Sequence, residues 1–240
     1  MVQWRGLQIL RFAGSNPARA SKSMQAIFSW LTILQREVLR RRMTITRGLK
    51  IADWLVILGW LVTTYFYSSG WMRDVQLLIG IGRSLGTAAF FLYIATLIPS
   101  MIRRLQIRQL LPIMSILLPF RRQFGVLMFL TAFVHQSFTT VLPYLVFVDF
   151  DFAQLPPPLL ARHITGFAAW WLLFPLWLTS NDLAVKKLGK WWKRLHKLTY
   201  AALFLIMAHV ALVSSWWYVA VLITILAGNF WALVGNRKLN

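Results

Sequence analysis

The chain has 240 residues, 58% of them hydrophobic, and carries six acidic side chains against 26 basic ones. That is too apolar for a soluble domain, and the cations fall in clusters between long apolar runs, so they read as membrane topology signals rather than a nucleic-acid face. No cysteine is present, which excludes thiolate metal sites, disulfides and thiol redox chemistry and leaves any redox role to a bound cofactor.

Residues 1 to 50 carry ten basic residues and no apolar core of signal-peptide form. They are expected to be a basic cytoplasmic segment. Within it "MQAIFSWLTILQREVLRRR" suits an amphipathic helix lying in the membrane interface, with a disordered basic leader as the alternative. Residues 51 to 240 form the membrane domain. Six runs approach the ~20 residues that a bilayer core requires: 51 to 69, 84 to 102, 123 to 144, 164 to 181, 197 to 214 and 216 to 235. The fold predicted is an all-α integral membrane protein, a six-helix transmembrane bundle. "LPPP" at 155 to 158 stiffens the loop before the fourth run, and "VSSWWY" at 213 to 218 reads as an interfacial hairpin between the last two.

Charge sets the orientation. Residues 1 to 50, the loop around 103 to 122, the loop 182 to 197 and the C-terminus would share one side and hold 23 of the 26 Lys and Arg. The other side holds Arg73, Arg83 and Arg162, with Asp74, Asp149 and Asp151. Both termini are therefore expected on the cytoplasmic face.

His135 lies 13 residues into the third run counted from Arg122, and His209 lies 13 residues beyond His196 in the fifth. At 1.5 Å per residue each sits ~20 Å from the cytoplasmic end. Intramembrane polar groups are costly and face the bundle interior. Two imidazoles at one depth on facing helices can supply both axial ligands of a haem iron; a hydrogen bond to a neighbouring helix is the plainer reading of either alone. His196 stands at the inner end of its run, level with Arg121 and Arg122. With an arginine holding propionates or a phosphate, it can anchor an inner cofactor, or these three can be simple interfacial charges. Thirteen residues rotate ~220° on a straight helix. His196 and His209 therefore share a face only if the helix bends or His196 lies in an irregular turn.

Four stretches, "IGRSLGTAAFFLYIATLIPS", "RRQFGVLMFLTAFVH", "RHITGFAAWWLLFPLWLTSN" and "LGKWWKRLHKLTYAALFLIMAH", resemble the ferric reductase-like transmembrane domain family. Within it the likeness is to the haem-binding membrane subunits of bacterial methionine sulfoxide reductase systems. The R-R-x-x-G lead and L-G-K-x-W-x-x-L-H with a second histidine 13 residues on carry most of it. The resemblance implies b-type haem, one or two, between the third and fifth spans. His135 and His209 would be the outer iron ligands and His196 the inner one. Arginine at the inner position of the third span, Arg121 or Arg122, is similar to this branch rather than to the oxidases, which have histidine there.

No G-x-G-x-x-G unit and no fused flavin or nicotinamide domain is seen. Electrons are then expected from the quinone pool or a cytoplasmic flavin reductase, with FMN an alternative occupant of the inner site. The implied protein is a multi-pass cytochrome b of the bacterial inner membrane that delivers electrons outward to a periplasmic molybdoprotein reductase. A stand-alone ferric or oxygen reductase and a small non-redox transporter are the alternatives. Arg83 is a candidate for an outer propionate or an anionic substrate. Gly125 and Gly166 are candidates for close approach of a porphyrin or a helix. His163 is expected to be an exposed interfacial histidine without a role, with contact to a haem propionate or a docking partner as the alternative.

Overall fold

The computed structural model describes residues 22–72, 74–107, 110–143, 155–213 and 216–235, and among these every regular element is helical. In chain order they are α1 (Lys22–Arg40), α2 (Arg42–Ser68), α3 (Val75–Leu105), α4 (Leu111–Leu117), α5 (Arg121–Gln136), α6 (Pro157–Leu178), α7 (Asp182–Leu188), α8 (Lys190–Leu195), α9 (Leu198–Val213) and α10 (Trp216–Gly235). Arg73, Asp149, Asp151 and the centre of the "VSSWWY" hairpin lie outside the described residues.

Five helical segments are long and apolar enough to cross a bilayer: Arg42–Ser68, Val75–Leu105, Leu111–Val141, Pro157–Leu178 and Lys190–Val213. The sixth expected span corresponds to a shorter apolar helix, Trp216–Trp231, within α10. Two boundaries differ from the sequence reading. Residues 103 to 122 are mostly helix rather than loop. α3 runs on to Leu105, and α4 leads through a tight helical turn at Leu118–Phe120 directly into α5. Pro112 and Pro119 each sit in the first turn of their segments, where the missing N–H breaks no bond. The division at residue 50 falls inside α2, because Arg41 N–H donates to Glu37 O and Arg41 O accepts from Ile45 N–H, so α1 and α2 are joined at one residue.

Local chemistry accounts for the ends. The Asp74 carboxylate caps α3 by accepting from Leu77 N–H at 3.0 Å, and Asn181 caps α7 through Ala184 N–H at 2.8 Å. α3 stops where Gln106 turns into the left-handed region, at φ 52°. Gly189, with φ 50°, separates α7 from α8, a conformation that glycine adopts without steric cost.

α3 packs along α5 and α10, α2 and α6 flank α5, and α9 lies along α6 and α10. The core between them is built by Phe90, Tyr93 and Leu97 of α3, Met128 and Phe129 of α5, and Leu203 of α9, with neighbours from α6 and α10. Tyr93, 2% exposed, also ties α3 to the start of α9 by donating from its hydroxyl to Thr199 O at 2.8 Å. The outward surface is apolar, with Trp54, Leu55, Leu58 and Tyr65 of α2 exposed. A helix bundle in lipid tolerates such a surface because every backbone group is satisfied within the helix.

Replacing Tyr93 by Phe keeps the buried ring and leaves the Thr199 carbonyl one partner short. The expected loss is about 1 kcal/mol, read as a lowered thermal midpoint in detergent micelles with unchanged helix content.

Candidate functional site

α5 and α9 do not pack closely against each other, and the gap between them is where the two deep histidines meet. The ring centres of His135 and His209 are 6.1 Å apart, with the ring planes at 76°. Each ring is docked on a third helix in the same way. His135 Nδ1 is 2.8 Å from Gly82 O of α3, and His209 Nδ1 is 3.0 Å from Arg162 O of α6. Because the carbonyl can only accept, Nδ1 carries the proton in both rings and Nε2 is left as the lone-pair nitrogen.

The docking needs glycine one helical turn beyond each carbonyl. A Cβ on Gly86, four residues after Gly82, would lie 2.7 Å from His135 Nδ1. On Gly166, four residues after Arg162, it would lie 2.9 Å from His209 Nδ1. Helical side chains lean toward the N-terminus and cover the preceding turn. Any side chain here would cover the carbonyl that the imidazole uses. Thr139 Oγ1 donates to His135 O at 2.7 Å inside the π-helical turn Ser137–Val141 that follows α5.

A cavity of about 470 Å³ opens beside the pair, within the usual range for a small-molecule site. Its walls are mostly apolar and aromatic, including Phe90, Met128, Leu173 and Ile206, with Arg83 and Arg162 also lining it. Two polar groups in this wall, Gln136 Nε2 and Trp170 Nε1, are buried without a hydrogen-bond partner. A second cavity of about 430 Å³ shares His135, His209, Arg83 and Arg162 and adds Gln76, Thr139, Thr140 and His163.

Sequence reasoning overlooked Arg162, Gln136 and Gly86, and it misplaced His163. That residue is 7% exposed, not an exposed interfacial side chain, and its Nδ1 is 2.9 Å from Thr140 Oγ1. The π-helical turn brings Thr140 to it, which no helical periodicity foretells. Gly86 was legible in "GRSLG" as a glycine four residues after another. Gly166 clears His209, and Gly125 has no atom within 4 Å of an added Cβ.

His196, Arg121 and Arg122 are arranged differently. His196 lies in the break between α8 and α9, stacked on Trp192 with ring centres 4.0 Å apart and Nε2 3.3 Å from Thr179 Oγ1. Trp192 is itself held by its Nε1 donating to Thr179 O at 2.9 Å. Arg121 and Arg122 are near enough for their charges to act on His196. Arg122, however, pairs with Asp182 at 2.8 Å and holds that carboxyl below its usual range. None of the three lines either cavity described above.

Chemically, two imidazoles this close, each with Nε2 as its lone-pair nitrogen, can hold one ion between them. A metal–imidazole bond of about 2 Å on each side places the ring centres roughly 6 Å apart, which the observed spacing fits. Among the described residues no cluster of three or more His, Cys, Asp or Glu is gathered. A macrocycle can supply the remaining donors, and a cavity of this size with mostly apolar walls suits one.

The ferric reductase like transmembrane component family matches residues 85–208, just over half of the chain, and the chain belongs to that family. Similar curated proteins include the protein-methionine-sulfoxide reductase heme-binding subunit MsrQ of Xanthomonas euvesicatoria pv. vesicatoria, 31% identical over 137 residues, which are 52% of this chain and 59% of the relative. The protein of the same name from Brucella ovis is 37% identical over 105 residues, 42% of this chain and 45% of the relative. The chain thus spans about half the length of the relatives it matches. No solved structure matches it.

The glycine requirement is testable within one helix. Gly86→Ala is expected to cost about 1–3 kcal/mol by overpacking against His135. Gly80→Ala, with no atom within 4 Å of the new methyl, should be neutral or stabilise by up to about 1 kcal/mol. Thermal unfolding of the two variants beside the parent chain reads the contrast.

Proposed function

We propose that this chain is a membrane cytochrome b, an electron-transfer subunit that binds haem b between His135 and His209 and passes electrons across the bilayer. The single observation behind this reading is the matched docking of the two imidazoles, each with Nδ1 on a helix carbonyl and Nε2 left for a metal. Haem would supply the one-electron redox change. The chain's own residues do the rest: the carbonyls orient the rings, Gly86 and Gly166 make room for them, and the apolar walls keep water from the site. His135 and His209 would both hold the iron, and a haem held by two imidazoles would supply electron transfer rather than oxygen chemistry.

Six spans with both termini on the basic, cytoplasmic side of a bacterial inner membrane complete the reading, α10 serving as the sixth. Support comes from the distribution of Lys and Arg. The name of the relatives supports a methionine sulfoxide reductase catalytic subunit, expected to be a periplasmic molybdoprotein, as the acceptor. Electrons would enter on the basic side from quinone or a flavin reductase. His196 with Arg121 remains the position for an inner haem or FMN. Occupation there requires the imidazole to leave Thr179, whereas the outer pair is already arranged.

The reduced minus oxidised absorption spectrum of protein produced with ample haem tests this. The parent chain should show sharp b-type bands, and His135→Ala or His209→Ala should abolish them. His196→Ala should keep the outer signal. A colourless, folded parent chain would refute the haem reading.

A further inference from the structure

At the basic end of the bundle the last turn of α3 meets the first turns of α5 and α9 and the later half of α10. Arg104 of α3 donates from Nη1 to Asn229 Oδ1 of α10 at 3.0 Å, and its guanidinium lies 5.3 Å from the centre of the Tyr200 ring of α9. Asn229 is 4% exposed and is itself held, donating from Nδ2 to Ile225 O at 2.8 Å. Arg121, the first residue of α5, is half-buried, and Arg103, Arg104 and Tyr200 are all close enough to act on its charge. Arg103 is exposed.

Three guanidinium groups thus gather from two helices, and like charges repel at this range. Among the described residues none of the three has a carboxylate partner. Glu37 pairs with Arg40 and Arg41, Asp182 with Arg122, Asp74 caps the far end of α3, and the charge that acts on Asp53 is that of Lys50. An anion from outside the chain would offset the repulsion. Arg103 and Arg104 lie in the last turn of a membrane span, where headgroups are met. Phe230 and Trp231, which follow Asn229 on α10, are 67% and 76% exposed and offer apolar surface to acyl chains. None of these residues lines the cavities beside the histidine pair.

We infer that Arg103, Arg104 and Arg121 form a binding site for the phosphodiester headgroup of an anionic phospholipid, with Asn229 and Tyr200 holding Arg104 in place. Basic pockets between spans bind anionic headgroups, and the planar guanidinium fork matches two free phosphate oxygens. Net charge makes the site selective. Phosphatidylcholine also carries a phosphodiester, but three guanidinium groups repel its ammonium. The bound headgroup ties the end of α3 to the start of α5, so the bundle is more stable with the lipid than without it.

The full chain in neutral detergent would be titrated with phosphatidylglycerol, with phosphatidylcholine and with flavin mononucleotide, a soluble phosphate, while the thermal midpoint is followed. Phosphatidylglycerol should raise the midpoint of the parent chain, and phosphatidylcholine should not. R103Q, at an exposed position that tolerates the change, should bind phosphatidylglycerol about fivefold more weakly, and R103Q/R121Q about twentyfold, from roughly one factor of five per cation at a membrane surface. K186Q/K187Q/K190Q, which removes three cations from α7 and α8, should keep the parent affinity. An unchanged affinity in R103Q and R103Q/R121Q would overturn the site. So would an equal loss in the lysine variant, which would mark a diffuse charge effect, or equal stabilisation by both lipids. A rise with flavin mononucleotide but not with phosphatidylglycerol, lost in R103Q, would assign the arginines to a soluble phosphate and overturn the lipid.

Discussion

The arrangement of the histidine pair depends on a helix carbonyl accepting a hydrogen bond beyond that of the helix. Gly82 O and Arg162 O each lie within a continuous helix and each also receives an imidazole Nδ1–H, Arg162 O being shared with Thr165 Oγ1 at 3.0 Å. The imidazole can approach only where the side chain one turn on is absent, so Gly86 and Gly166 are part of the interaction. One hydrogen bond thereby sets three things at once: the tautomer of the ring, its orientation, and the close approach of α3 to α5 and of α6 to α9. Four helices converge on two rings.

Around that centre the bilayer imposes a different logic. Outward surfaces need only be apolar, and α2 exposes a column of large side chains that would be intolerable in water. Many inward polar groups instead find partners within the protein. Trp60 donates to Ser137 Oγ at 2.9 Å, Tyr93 to a backbone carbonyl, and Arg104 to Asn229 Oδ1 at 3.0 Å. These bonds join helices distant in sequence and stiffen the bundle. At the basic end, Gly189 and Trp192 serve the same purpose. The left-handed glycine breaks the polar helix, and the indole then reaches back to Thr179 and stacks on His196.

Much of this was legible from residues alone. The equal depth of His135 and His209 followed from counting along two apolar runs from the same side, and their juxtaposition in space agrees with the count. His196 and His209, ~220° apart on a straight helix, could share a face only through a bend or an irregular turn, and His196 lies in the break between α8 and α9. Other features were hidden for identifiable reasons. His163 looked interfacial because it begins a span beside Arg162, but the π-helical turn after α5 carries Thr140 over it. The segment 103 to 122 looked like a loop because its cations and prolines interrupt the apolar pattern, yet proline in a first helical turn costs nothing.

By itself, then, the amino-acid sequence determined the helical class, the apolar spans, the sidedness to be expected of them and the depth of each histidine, because these depend on composition and on rise per residue. Only the tertiary structure decided which carbonyl each imidazole would use, which glycines had to be glycine, and that Arg83 and Arg162 would line the cavities beside the histidine pair. Those are contacts between helices far apart in the chain. They depend on rotation about each helix axis and on local irregularities such as the π-helical turn, and a linear pattern records neither.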